Sequence, residues 1–139
     1  MADRERAFVA LGSNLGDRAG HLMLARRRLA ELPDTRLVRA SAIAETAPLG
    51  TVAQGAYLNQ MVLLETALSP RALLTSCLEI ERAAGRVRAE RWGPRTLDLD
   101  IVRYGDRIVR EPGLVVPHPE LEHRPFWREE MEELESARE

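Results

Sequence analysis

The alternation of hydrophobic and polar positions predicts four main β-strands. In each segment apolar and β-branched residues cluster, and Gly, Pro, Asn or Asp residues mark the turns between segments. The four segments are residues 6–12, 36–46, 57–68 and 96–104. In the second segment, the side chains predicted to share one face are Leu37, Arg39, Ser41 and Ile43. After the fourth segment, a YGDR turn predicts a short partner strand at Ile108 and Val109.

Helical spacing predicts two helices between these strands. Asp17 is the predicted N-cap of the first helix, which runs to about residue 32. Ser69 and Pro70 begin the second helix, and Gly85 lies beyond its end. The apolar residues that recur at helical spacing are Leu22, Ala25, Leu29 and Leu32 in the first helix and Leu73, Cys77, Ile80 and Ala84 in the second.

The order strand-helix-strand-strand-helix-strand predicts a ferredoxin-like βαββαβ sandwich of the α+β class. In this fold the two helices pack on one face of an antiparallel sheet. A VVPHPE loop and a short polar helix from about Pro125 are predicted to follow, with the acidic tail as a solvated helix face. The sequence contains no repeat or linker, so we expect one domain over residues 1–139.

Composition narrows the classes of function. The net charge is −2 and the pI is about 6.0, so no basic field attracts nucleic acid or an acidic membrane surface. No apolar run approaches the ~20 residues of a membrane span. Cys77 is the single cysteine and no secretory signal is evident, so we expect a cytoplasmic protein without disulfides or a cysteine zinc cluster. All 20 basic residues are arginine, which excludes a Schiff-base lysine and a Walker-type phosphate loop.

Two carboxylates, Asp98 and Asp100, interrupt the apolar pattern of the fourth strand. Side chains two apart in a strand share a face, so the two charges lie side by side, about 7 Å apart along the strand. A solvated sheet face is one explanation. The preceding loop favours a second one, because it carries Trp92 and four arginines: Arg86, Arg88, Arg91 and Arg95. Carboxylates suit Mg²⁺ and arginines grip phosphate, so the pattern favours a nucleotide-triphosphate site.

His118 lies between two prolines in VVPHPE. A rigid, extended histidine suits a contact to phosphate or ribose, and a structural loop histidine is the alternative. Cys77 lies on the apolar stripe of its helix, so we expect a core residue rather than a nucleophile.

Several separated motifs resemble the 6-hydroxymethyl-7,8-dihydropterin pyrophosphokinase family, and they cover most of the chain. They are ALGSNLGD (residues 10–17), ETAPLG with Gln54 and YLN (45–59), IERAAGRVR (80–88), RWGPRTLDLDI (91–101) and VPHP with Arg124 and Phe126. RWGPRTLDLDI is the most specific of these motifs. The resemblance agrees with the ferredoxin-like fold predicted above.

The resemblance implies that ATP gives its β,γ-pyrophosphate to the hydroxymethyl group of the dihydropterin and that AMP is released, in folate biosynthesis. It also implies two Mg²⁺ ions, held by Asp98 and Asp100. The implied catalytic residues are Arg86, Arg95, Asp98 and Asp100. The implied ATP-binding residues are Glu81, Arg88, Trp92, Arg95, Ile101, His118 and Arg124. The implied pterin-binding residues are Thr46, Pro48, Leu49, Tyr57, Asn59, Trp92, Asp98 and Phe126, with Trp92 and Phe126 as two aromatic walls.

The chain departs from the family pattern at two positions. Leu78 and Pro119 stand where many relatives carry glutamine and tyrosine, so neither side chain can make a polar contact to the nucleotide. The arginine loop is also one residue shorter than in some relatives, and little chain follows Phe126.

Two other functions use similar features. A ferredoxin-like regulatory module could bind a nucleotide without turnover, but it needs no second pocket of the kind that Asn59, Trp92 and Phe126 suggest. An RNA-binding module of similar topology is disfavoured by the low pI and the 4% aromatic content. We therefore expect a monomeric enzyme whose partners are small-molecule substrates.

Overall fold

The computed structural model describes residues 4–47, 55–85 and 96–136. In chain order the helices and strands are β1 (Glu5–Ser13), α1 (Arg18–Ala30), β2 (Thr35–Ala40), β3 (Ala44–Thr46), β4 (Tyr57–Thr66), α2 (Pro70–Ala83), β5 (Asp98–Tyr104), β6 (Val109–Glu111), β7 (Leu114–Val116) and α3 (Pro125–Ser136). A 3₁₀ turn at Leu121–His123 precedes α3. No helix in these ranges is long and apolar enough to cross a membrane.

The main sheet is antiparallel, and its strands follow the order β2–β4–β1–β5, with β3 also paired to β4. The first strand therefore lies in the middle, between β4 and the edge strand β5. Helices α1 and α2 connect strands of this sheet. The predicted α+β, ferredoxin-like architecture is confirmed.

The predicted helix caps are also confirmed. Asp17 Oδ1 accepts a hydrogen bond from the Gly20 backbone N–H at 3.0 Å. Ser69 Oγ accepts one from the Ala72 N–H at 3.1 Å. Both bonds satisfy a backbone donor that has no partner within its own helix, which defines where the helix begins. Gly85 has a φ of +82°, a conformation that favours glycine at the end of a helix.

The sheet has a hydrophobic core on each face. One core lies between the sheet and α1 with α2, and it contains both predicted apolar stripes, with Leu32 and Ala84 partly buried at its margin. The second core lies on the opposite face, where α3 covers β1 and β4. Its members are Phe8, Ala10, Met61, Leu63, Val102, Trp127, Met131 and Leu134. The helix predicted from about Pro125 thus packs on the face of the sheet opposite α1 and α2.

The predicted C-terminal helix begins at Pro125 as expected, but the prediction that it is wholly polar and solvated was wrong. Trp127, Met131 and Leu134 are 2%, 3% and 2% exposed, and even Glu130 is only 7% exposed. These residues are spaced by three or four positions, so they form one stripe of the helix. The many glutamates around them obscured this stripe in the sequence pattern.

The prediction of one strand over residues 36–46 was also wrong. An irregularity in the pairing shifts the register between Leu37 and Arg39, so Arg39 lies opposite Leu63, on the face that carries α3. The predicted shared face is lost at that point. Strand β2 ends at Ala40, and regular pairing with β4 resumes only at Ala44, in β3. Between them Ser41 stays bonded to the Met61 backbone of β4: its N–H donates at 2.8 Å and its Oγ accepts at 2.9 Å.

The predicted partner strand after YGDR exists, but it does not pair with β5. Strand β6 pairs with β7 in a separate two-stranded sheet. Pro112 and Gly113 connect them, and Gly113 has a φ of +75°. A Pro-Gly pair suits a tight two-residue turn, so β6 and β7 form a hairpin of their own.

Candidate active site

The side chains of β5 alternate as predicted. Leu97, Leu99 and Ile101 are 0%, 5% and 5% exposed in the core beneath α1 and α2. Asp98 and Asp100 point to the other face, and both are partly exposed. This alternation presents the two carboxylates beside each other on a backbone fixed by pairing with β1.

Strand β1 brings distant polar residues into one row across the sheet. Gly12 pairs with Asn59 on one side and with Asp98 on the other. Residues directly paired across antiparallel strands point to the same face, so Asn59 and Asp98 share a face with only Gly12 between them. Two strand spacings separate them, about 10 Å. The predicted pterin amide and a predicted metal ligand thus border one patch of sheet.

Three of the predicted pterin residues lie together at the start of β4. Thr46 pairs with Tyr57 in the ladder between β3 and β4. Asn59 is 8% exposed, and its Nδ2 donates to Thr46 Oγ1 at 2.6 Å. This bond orients the amide, because its nitrogen turns toward Thr46 and its oxygen lies on the other side. The structure therefore brings Thr46, Tyr57 and Asn59 into one group.

Glu81 is a buried carboxylate at the end of α2, 4% exposed. Its Oε2 accepts a hydrogen bond from the Leu99 backbone N–H at 2.7 Å, at the position between Asp98 and Asp100.

Burial, and then the charges of Glu81 and Asp100, raise the pKa of the Cys77 thiol. Cys77 is fully buried, which supports its prediction as a core residue.

His118 is held in place by its loop and faces Asp100. Its backbone N–H donates to the Val102 carbonyl at 2.8 Å, and its Nδ1 accepts from the Glu120 N–H at 3.0 Å. Because Nδ1 accepts, the ring proton is on Nε2, which lies 3.6 Å from Asp100 Oδ1. The ring is therefore fixed by its loop and faces Asp100, and its contact to phosphate or ribose stays a prediction.

Trp127 is the residue at this site that the sequence analysis missed. Its ring meets the His118 ring edge-on, with centroids 5.0 Å apart, and the ring of Phe126 at 6.3 Å. The guanidinium of Arg124 lies 4.7 Å from the Trp127 ring centroid, a cation–π contact. Trp127 therefore packs against three predicted substrate-binding residues, His118, Phe126 and Arg124. The spacing of Trp127, Met131 and Leu134 was the available signal.

A cavity of about 210 Å³ opens beside Asp100, along the outer edge of β5. Its lining residues are Leu74, Leu99, Asp100, Ile101, Gly113, Leu114, Val115, His118 and Pro119. The predicted ATP-binding residues Ile101 and His118 are both in this wall. Most of the lining is apolar, with a polar end at Asp100 and His118.

The remaining predicted site residues lie outside the described part of the chain. They are Pro48, Leu49, Arg86, Arg88, Trp92 and Arg95. Within the described part, no group of three or more His, Cys, Asp or Glu side chains is arranged to hold a metal ion. Any metal bound by Asp98 and Asp100 would therefore need further ligands from the substrate, from water or from elsewhere in the chain.

Comparisons with known proteins agree on one family. The family model described as 7,8-dihydro-6-hydroxymethylpterin-pyrophosphokinase matches residues 8–136. The chain is 45% identical to the 2-amino-4-hydroxy-6-hydroxymethyldihydropteridine pyrophosphokinase of Methylorubrum extorquens, over 87% of this chain and 77% of that protein. It is 48% identical to the Pseudomonas putida protein of the same name, over 81% of this chain and 93% of that protein. The Haemophilus influenzae protein of that name is 42% identical, over 86% of this chain and 75% of its own length. The chain belongs to the 7,8-dihydro-6-hydroxymethylpterin-pyrophosphokinase family.

Proposed function

We propose that this protein transfers the pyrophosphoryl group of ATP to the hydroxymethyl group of 6-hydroxymethyl-7,8-dihydropterin, releasing AMP, as a step of folate biosynthesis. The observation that carries the proposal is the row Asn59–Gly12–Asp98 across the sheet. It joins an amide suited to a pterin edge to carboxylates suited to a metal-bound polyphosphate, on one face of one sheet.

The cavity along β5 is the proposed nucleotide site. Its apolar wall suits a base, and its polar end at Asp100 and His118 suits ribose or phosphate. Ile101 lies on the edge strand β5, and the outer backbone N–H and C=O groups of an edge strand can form hydrogen bonds with a nucleotide base. Arg124 lies against Trp127 nearby and supplies a positive charge. Arg86, Arg88 and Arg95 are predicted to contact the phosphates, and Glu81 and Trp92 to border the site.

Asp98 and Asp100 would hold two Mg²⁺ ions. Two partly exposed carboxylates on rigid strand positions suit a cation that keeps much of its shell as water and phosphate oxygen. When bound, these ions neutralise the polyphosphate and stabilise charge as it develops in the transfer. Without the ions the two carboxylates repel each other. Binding of the ions is therefore the proposed reason for two like charges at neighbouring positions of one face.

The chain's own contribution is positioning. Asn59 and Tyr57 would orient the pterin, with Thr46 fixing the amide and with Pro48, Leu49, Trp92 and Phe126 completing the pocket. Two substrates held on one sheet face react as if in a single molecule, which contributes a large share of the rate. In the described part of the chain no side chain stands out as a general base. Catalysis is therefore assigned to orientation and to electrostatic stabilisation by Asp98, Asp100, Arg86 and Arg95.

We also propose that the protein is a cytoplasmic monomer with small-molecule partners only. The single, buried cysteine suits a reducing compartment. The near-neutral charge gives no support for nucleic acid or an acidic membrane as a partner. Sedimentation of the purified protein with and without substrates measures its mass, and a dimer mass in both states contradicts the monomer.

Product analysis tests the function. The purified protein is incubated with Mg²⁺, ATP and the dihydropterin, and the nucleotides are separated. AMP should appear in step with a doubly phosphorylated pterin, and omission of the pterin should abolish it. ADP with a singly phosphorylated pterin would contradict the proposal. Nucleotide binding without turnover would favour the regulatory module instead.

A further inference from the structure

Gly12 lies inside β1, one residue before its end, where a glycine weakens a strand. Glycine in a strand costs stability relative to alanine, because it has the most backbone freedom to lose and no side chain to pack. Glycine in a strand therefore needs a reason, and a close approach by a ligand is one of them.

The backbone of β1 does not supply that reason. The φ of Gly12 lies outside the left-handed range that favours glycine. The residue pairs regularly with Asn59 and Asp98, as any strand residue does. A Cβ added at this position would meet its nearest described neighbour at 3.4 Å, an ordinary van der Waals distance. The fold itself would therefore accept alanine.

The neighbours that this Cβ would touch point to a ligand. They are Tyr57 Cδ1 at 3.4 Å, Asn59 Oδ1 at 3.5 Å and Tyr57 Cε1 at 3.8 Å. One N–H of the Asn59 amide donates to Thr46, and the amide oxygen that faces Gly12 is an acceptor suited to an N–H of a substrate. A methyl group at position 12 would rest against that oxygen and against the Tyr57 ring at the same time.

We infer that Gly12 is a specificity-determining residue for the pterin. Its missing side chain leaves open the space beside the Asn59 amide oxygen and the Tyr57 ring, into which the flat edge of the pterin fits. This inference rests on the proposed function, because it takes the pterin as the ligand of Asn59. It adds to the predicted pterin residues a position that acts through the absence of a side chain.

The variant Gly12→Ala separates this role from a structural one. Its melting temperature should equal or exceed that of the wild type, because alanine suits the strand better. Its affinity for 6-hydroxymethyl-7,8-dihydropterin, measured by calorimetry with Mg²⁺ and a nonhydrolysable ATP analogue, should fall about tenfold or more, as for one excess methyl group in a fitted pocket. Affinity for the ATP analogue alone should not change.

Gly55→Ala is the matched control. Gly55 also lies outside the left-handed range, and its added Cβ would meet only the Asn14 carbonyl oxygen, at 3.6 Å, among described atoms within 4 Å. This variant should bind both substrates as the wild type does. If Gly12→Ala binds the pterin normally, or if it melts lower than the wild type, the inference is overturned. If the wild type neither binds nor converts the pterin, the proposed function fails first, and this inference fails with it.

A measurement on the wild type gives a second test that needs no variant to fold. The chain has nine glycines, so selective isotopic labelling of glycine gives a simple NMR spectrum. The Gly12 signal, identified by its loss in Gly12→Ala, should shift when the pterin is added and the nucleotide analogue is already bound. A Gly12 signal that does not move at saturating pterin would overturn the inference.

Discussion

The backbone N–H of Leu99 donates to the buried carboxylate of Glu81 at 2.7 Å, midway between Asp98 and Asp100. Strand β5 is an edge strand, so its outer N–H groups have no strand partner in the described sheet. Glu81 takes the place of such a partner. A residue predicted to line the nucleotide site therefore also fixes the backbone that carries both predicted metal ligands.

We expect Glu81→Ala to lose stability and turnover together. The Leu99 N–H would be left without this acceptor in a buried site, which costs about 1–3 kcal/mol. Glu81→Gln retains a side-chain oxygen and should recover most of the stability. Urea unfolding measures the stability, a steady-state assay measures turnover, and amide exchange at Leu99 measures the loss of this bond. Glu79→Ala, at an exposed position of the same helix, is the control, and equal amide protection in Glu81→Ala and the wild type would contradict the role.

Asp98→Asn and Asp100→Asn should separate catalysis from stability. Repulsion between two partly exposed carboxylates is worth on the order of 1 kcal/mol or less, and contacts such as that of Asp100 with His118 oppose it, so the metal-free variants should melt close to the wild-type temperature. Turnover should fall by orders of magnitude, because each change removes an anionic ligand for Mg²⁺. Thermal melts without metal and turnover across a Mg²⁺ titration are the measurements. Near-normal turnover in both variants would instead support a solvated strand face.

Glu130 should make the stability of the fold depend on pH. Burial, and then the charge of Glu133, raises its pKa from 4.5 to about 7. Neither of its carboxylate oxygens has a hydrogen-bond partner in the described structure, although the nearby Ser41 hydroxyl opposes part of the shift. Because the folded state holds the proton more tightly, the stabilising effect is complete below pH 4.5 and is lost as the pH rises through about 7.

The variant Glu130→Gln tests this dependence. It should melt several degrees higher than the wild type above pH 7, and its melting temperature should vary less from pH 4.5 to pH 7. Glu132→Gln, an exposed glutamate of the same helix, should follow the wild-type curve. Parallel curves for Glu130→Gln and the wild type would contradict the prediction.

Replacing Arg18 should weaken the binding of the pterin and leave the binding of the nucleotide unchanged. Its Nη1 donates to Glu45 Oε2 at 2.8 Å and to the Ala56 carbonyl at 2.9 Å. These acceptors stand next to Thr46 and Tyr57, so Arg18 ties together the two strands that carry them. The side chain is 33% exposed, and such contacts are worth up to about 1 kcal/mol.

We therefore expect Arg18→Met to raise KM for the pterin by up to about fivefold, with KM for ATP unchanged. Arg27→Met, at an exposed position of the same helix, is the control. Steady-state kinetics with each substrate varied in turn decide the matter. An equal rise in both KM values would indicate a general structural effect rather than support of the pterin site.

Local features of this protein could be predicted from the sequence alone. The alternation of β5 put Asp98 and Asp100 on one face and Leu97, Leu99 and Ile101 on the other, because side-chain direction in a strand depends only on neighbouring positions. The caps at Asp17 and Ser69 followed from side chains that bond to backbone groups three residues ahead. The family motifs are also local, since each is one continuous segment of the chain.

The tertiary structure alone decided which distant residues meet. Register between strands joined Asn59, Gly12 and Asp98 in one row, and no local pattern contains that register. Packing against the second face of the sheet buried Trp127 and Glu130 on a helix whose composition indicated solvent exposure. The physical reason is the same in both cases: burial and strand pairing depend on neighbours brought together by the fold, and a one-dimensional pattern records only neighbours along the chain.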